Sequence, residues 1–269
     1  MKKLATALVS AAAIMTMSTT AFAAENPAEV FDRVMEKNNT IQSAEIQSGV
    51  HSVILAKDVI PDGQMKVDMA MHAEMDMQDT TDLKYLAQVA SSILGQDSYS
   101  QVFYTDGYYY VDANGVKLKY PMPLEQIISS VQTGVNTSNM ESSYMKGISL
   151  NEVNGKCVLA YEANPKKLNK NVKEALGTVM NTLGTDVNLD MNIQEMKGAY
   201  VLDDNDYIIY MTNYIVYNME VLDQPMTCIT LMETEVQNPG EPVVVTLPST
   251  DGYEDLIGLY DGVIESEVE

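Results

Sequence analysis

The sequence predicts an α+β protein: a long curled antiparallel sheet with helices packed on its concave face. Three observations carry this expectation. Apolar and polar residues alternate over unusually long runs, most clearly in Met65–Met77, where every odd position is Met, Val or Ala and most even ones are charged or polar. A period of two places alternate side chains on opposite faces of a pleated strand. Asp106-Gly107, Asn114-Gly115 and Asn154-Gly155 separate shorter runs, and such pairs are strong hairpin signals. Between the runs lie segments with a one-sided apolar stripe at helical spacing, without the βαβ alternation of a parallel sheet.

Residues 1–24 read as a secretory signal peptide. Lys2 and Lys3 form a basic start, Leu4 to Met17 an apolar core, and Ala21-Phe22-Ala23 a small-residue cleavage site. The apolar run falls short of the roughly 20 residues that span a bilayer. No Cys stands near the cut, so the expectation is a secreted, extracellular or cell-envelope protein without a lipid anchor. A single domain over 25–250 and an acidic tail over 251–269 follow.

The first helix starts at Asn26-Pro27, as N-cap and first helical residue, and buries Val30, Phe31, Val34 and Met35. Long strands are expected over 44–60 and 64–79, turning at Pro61-Asp62-Gly63. A second helix is expected from Asp82, with Leu83, Leu86, Val89, Ala90 and Ile93 as its stripe and Gly95 as its stop. Three short strands follow, to Tyr120, and then a helix from Pro123 carrying Leu124, Ile127, Ile128 and Val131. After a polar loop at 133–143 comes a hairpin, 148–153 with 156–162. Asn164-Pro165 then opens a helix with Leu168, Val172, Leu176, Val179, Met180 and Leu183 on one side. Strands over 187–202, 206–221 and 224–238 form the last meander. A short strand at Val243–Leu247 and a weak helix at Tyr253–Ile264 end the chain. Strands this long require a sheet that twists and curls strongly, or closes.

The chain carries 16 Lys and Arg against 38 Asp and Glu; removing Lys2 and Lys3 leaves 14 against 38, a formal charge of −24. Such a surface repels polyanions, which excludes nucleic acid and anionic lipid heads as partners. Cys157 and Cys228 both fall in strand-like segments. In an oxidising compartment they either bridge or remain two buried thiols.

Little points to catalysis. The two histidines, His51 and His72, lie in long strands among polar neighbours, and no nucleophile elbow or zinc-protease motif is present. Turn chemistry accounts for Asp203, Asp204 and Asp206, and no EF-hand spacing accompanies them. No cofactor is expected.

The ladder Met65, Met69, Met71, Met75, Met77 admits three readings: plain core, lining for an apolar ligand, or a thioether site for Cu(I). Same-face residues on a strand lie about 6.5–7 Å apart, and His72 has the opposite parity. The geometry therefore disfavours a metal on this strand alone. Among 19 Met there are only 3 Phe and no Trp, a composition that suits a deformable cavity better than a rigid core.

The helix Ala28-Glu-Val-Phe-Asp-Arg-Val-Met35, the Ile41-Gln-Ser-Ala-Glu45 entry into a long strand, and the Asp106-Gly-Tyr-Tyr-Tyr110 hairpin resemble the LolA/LppX-like superfamily of exported lipid and lipoprotein carriers. The likeness is to its Gram-positive secreted branch and covers most of 25–248. It implies an incomplete β-barrel whose concave face holds acyl chains.

The function expected is a non-enzymatic, monomeric exported protein that shelters an acyl chain or other apolar small molecule. Its expected lining is Met65, Val67, Met69, Met71, Met75 and Met77, with Leu168, Val172, Leu176, Met191 and Ile193. One alternative is an exported Cu(I)-binding protein using the ladder. Another is a cell-envelope module that meets a protein partner through its acidic face or the 133–147 loop.

Overall fold

A computed structural model describes residues 25–56, 60, 62–79, 83–124, 126, 140–170, 191–221 and 224–256. Helix α1 (Pro27–Asn38) is followed by β1 (Ser43–Leu55), β2 (Gln64–Asp76), β3 (Lys84–Ile93), β4 (Gln96–Thr105), β5 (Tyr108–Ala113) and β6 (Val116–Pro121). A 3-10 turn at Ser142–Tyr144 leads into β7 (Met145–Val153), β8 (Lys156–Ala163), β9 (Asn192–Leu202), β10 (Ile208–Val221), β11 (Gln224–Gln237) and β12 (Glu254–Asp255). The strands form one twelve-stranded sheet in the order β12-β6-β5-β4-β3-β2-β1-β11-β10-β9-β8-β7.

This overturns the α+β expectation of helices laid over a curled, barrel-like sheet. The sheet is open in its order, with β12 and β7 at its ends. Helix among the described residues amounts to α1, residues 165–170 and isolated positions beside Pro123 and at Leu256. Most of the helices expected from Pro123 and from Pro165 lies outside the described residues, as do the signal peptide and 257–269. No helix among the described residues is long and apolar enough to cross a membrane.

The clearest error is the helix expected at 83–94, which is strand β3. It pairs antiparallel with β4, from Tyr85 opposite Tyr104 to Ile93 opposite Gln96. The misleading stripe has a physical source. Ala87 is buried with Met75 and Tyr104, whereas Leu86 is buried with Phe103 and Tyr253. A strand buried on both faces loses its alternation and mimics helical spacing. Gly95 misled for a related reason: at φ +77° after Leu94 at +53°, it closes a two-residue hairpin with the same left-handed backbone that ends helices. Val243–Leu247 is irregular rather than a strand, and Tyr253 leads into the two residues of β12, parallel to β6, where the expected helix was to start; the rest of that expected helix, from 257, lies outside the described residues.

The chain divides into two compact units that it enters more than once. The first takes the described residues of Met1–Asn38, Gly49–Asp68 and Asn139–Glu235, the second those of Asn39–Ser48, Met69–Ser138 and Val236–Glu269.

In the first unit α1 forms because Asn26 caps it, its Oδ1 accepting the Ala28 N–H at 3.1 Å, and because Val30, Phe31, Val34 and Met35 share one buried side. They pack on Leu159, Tyr161, Tyr200, Leu202 and Ile208. Full burial of such side chains contributes about 1.5–3 kcal/mol each. The polar side of α1 is fastened as well. Asp32 accepts the Ser142 N–H and hydroxyl, both at 2.7 Å, and Arg33 bridges Glu25 and Asp206. The Asn38 amide donates to Val34 O at 2.8 Å and accepts the Ile208 N–H at 2.9 Å.

The second unit is built around Met75, Met77, Ala44, Ile46, Ala73, Leu83, Ala87, Tyr104, Met122 and Val236. On the other side of its strands, Tyr253 meets Phe103 and Tyr110 edge-on at 5.6 and 5.1 Å between ring centres.

Cys157 and Cys228 are both free thiols. Cys157 is on β8 and Cys228 on β11, with β9 and β10 between them. Three inter-strand steps are about 14 Å, twice the reach of a disulfide.

Candidate functional site

The first unit carries its most specific geometry in one row across three strands. Tyr161 on β8, Gly198 on β9 and Asn213 on β10 are successive partners in register. The Tyr161 side chain passes over Gly198, and its hydroxyl donates to Asn213 Oδ1. A Cβ on Gly198 would stand 2.5 Å from Thr212 O and 2.8 Å from the Tyr161 hydroxyl, so only glycine permits the crossing. Tyr200 donates to the Tyr161 hydroxyl at 3.3 Å, and Phe31 meets the Tyr161 ring edge-on at 5.8 Å. Burial pushes the Tyr200 phenol up to about 12 and that of Tyr161 well above its ordinary value. Both therefore stay neutral.

Beside this row the apolar surface is less deeply covered. Met145, Ile148, Met196, Met211, Ile215 and Tyr217 are half-buried around the α1 core. Leu168 and Ile193 belong to that core, and Met191 is half-buried next to it. Val172 and Leu176 lie outside the described residues.

The methionine ladder is graded. Met65 and Val67 are half-buried; Met69 and Met71 are 40% and 36% exposed; Met75 and Met77 are 1% and 3% exposed. The structure thus brings Met75 and Met77 together in the second unit's core and leaves Met69 and Met71 as accessible thioethers. His72 lies between Glu74, at 3.2 Å, and Glu45, at 3.9 Å, on the opposite parity from the ladder. His51 pairs with Asp68 at 2.7 Å.

Among the described residues no group of three or more His, Cys, Asp and Glu side chains is placed to hold a metal. Asp203 acts in its turn, its Oδ1 accepting the Asn205 and Tyr207 N–H groups at 2.8 and 2.9 Å. Sequence reasoning missed Glu233, which is 5% exposed and accepts the Tyr210 hydroxyl at 2.7 Å. Its polar, alternating strand context gave no sign of burial. It also missed Gly198, whose one signal is a glycine inside a strand, where another group often approaches closely.

The chain belongs to a family of unknown function, DUF6612, whose model matches residues 26–248. No curated protein matches the chain. Among solved structures, LprF from Mycobacterium bovis is similar at 10% identity and TM-score 0.34, over 84% of this chain and 100% of that one. A beta-barrel-like protein of the DUF1849 family from Brucella abortus is similar at 11% identity and TM-score 0.23, over 74% of this chain and 100% of that one. At these scores the fold of this chain rests on its own strand order.

Proposed function

We propose that the protein is an exported, non-enzymatic binding protein of the cell envelope that shelters an acyl chain or similar apolar molecule against its methionine-bearing sheet face. One observation carries the reading: Met69 and Met71 are exposed in the middle of a ladder whose far end, Met75 and Met77, is core. Neighbouring methionines on a polar, strongly acidic protein are costly to leave in water and well suited to a pliable apolar ligand. Support also comes from the leader-like residues 1–24.

The test is native mass spectrometry of the protein purified from its own host, with displacement of a fluorescent fatty acid as the second readout. The expected result is co-purified lipid, and probe binding that falls about tenfold in Met69→Ser/Met71→Ser, the loss of roughly 1.4 kcal/mol of apolar contact. Absence of both lipid and probe binding overturns the reading.

A further inference from the structure

The β10–β11 hairpin gathers sulfur at one place, away from the β2 ladder. Met219 on β10 is directly opposite Met226 on β11, and Tyr217 directly opposite Cys228. Opposed residues of an antiparallel pair project to the same face, so both thioethers and the thiol share one side of the hairpin. Cys228 Sγ lies 3.7 Å from Met219 Sδ. Two sulfurs bound to one small cation at about 2.3 Å each stand about 3.8–4.0 Å apart at tetrahedral or trigonal angles. The observed pair is therefore already near chelating separation. Met226 starts two residues from Cys228, about 6.5–7 Å along the same face, a gap that a flexible thioether arm spans.

We propose that Met219, Met226 and Cys228 form a three-sulfur site for Cu(I). Donor chemistry sets the choice: two neutral thioethers and one thiol, with no imidazole or carboxylate in the trio, select a soft monovalent ion over zinc or calcium. Burial matches this assignment. Cys228 is 1% exposed, whereas Met219 and Met226 are half-buried, so the thiol forms the floor and the thioethers the entrance. Coordination replaces the S–H bond by an S–Cu(I) bond and releases the proton to solvent. Copper stays in the +1 state throughout. Cys157 is the internal contrast: its register partners are Glu152 and Leu202, with no thioether opposite it.

The site is independent of the apolar-ligand reading, and the two are tested separately. The full chain, reduced and under nitrogen, is titrated with Cu(I) against bicinchoninate, a coloured Cu(I) chelator. The expected result is one Cu(I) per chain, lost in Cys228→Ser and retained in Cys157→Ser and in Met69→Leu/Met71→Leu. Removing an outer-shell partner of a metal already costs about 10–100-fold, so Met219→Leu/Met226→Leu lowers affinity by at least that much. These leucines conserve volume, so this variant decides the matter if Cys228→Ser fails to fold. A sulfur-only shell in the copper X-ray absorption spectrum is the second expected readout. Unchanged Cu(I) affinity in Met219→Leu/Met226→Leu, or nitrogen and oxygen scatterers around copper, overturns the proposal.

Discussion

The core under α1 and the core around Met75 solve the same packing problem by different means. The first is specified by shape and direction: Phe31 against Tyr161 and Tyr200, a hydroxyl crossing Gly198 to reach Asn213, and a helix fastened on both its apolar and polar sides. The second relies on Met75, Met77 and Met122 among alanines, tyrosines and short aliphatics. Methionine fills gaps without dictating them. The first core should therefore be intolerant of small changes, and the second forgiving of any change that keeps volume.

The largest break in that contrast is Phe31→Ala. Phe31 is fully buried, and truncation costs about 3–5 kcal/mol, read as a lower urea midpoint with an unchanged slope. Gly198→Ala comes next, at about 3 kcal/mol, the upper end of overpacking. Its added carbon would meet backbone Thr212 O at 2.5 Å, and backbone cannot swing aside as a side chain can.

The buried phenols sharpen the contrast through pH. Both states hold neutral tyrosine below pH 10, so the stabilisation is fully present there. Above pH 10 the unfolded chain ionises while Tyr200, pushed up to about 12 by burial, does not. The unfolded state then binds fewer protons, and stability falls between pH 10 and 12 by roughly 2–3 kcal/mol. Urea midpoints at pH 9 and pH 11 capture about half of that drop, roughly 1.4 kcal/mol, and Tyr200→Phe is expected to shrink it. In the methionine core, Met75→Leu should cost less than about 1.5 kcal/mol although Met75 is 1% exposed. A larger loss would show that this core too is shape-specified.

Local chemistry made much of this fold legible in the sequence. The Asx-Gly hairpins place left-handed residues at Asp106, Asn114 and Asn154, and Asn26-Pro27 sets the start of α1. What escaped is what depends on distant coverage. Strand β3 hid because different clusters bury its two faces. Val243–Leu247 is apolar enough for a strand, yet Val245 is buried by lying over Phe103 and Tyr110 rather than by pairing; its neighbour Thr246 donates its N–H to Glu74 at 3.4 Å. The sulfur trio was out of reach because it depends on the register of β10 against β11, which no alternation pattern states.

The ladder itself supplies the smallest expected effect and the sharpest comparison, because strand, face and residue type are all held constant. Met69 and Met71 are 40% and 36% exposed, Met75 and Met77 1% and 3%. Alternation alone cannot distinguish the two pairs, since period fixes the face and not what lies over it. If Met69 and Met71 are accessible surface, serine at either costs within about 0.5 kcal/mol, read by urea denaturation without ligand. Serine at Met75 or Met77 costs several times more, because a buried hydroxyl replaces a filled volume. Equal losses at the two ends would mean that the whole strand is core and that the accessible methionines are not a binding surface. Unequal losses, with probe binding weakened only by the exposed pair, separate the residues that hold the fold from those that hold the ligand.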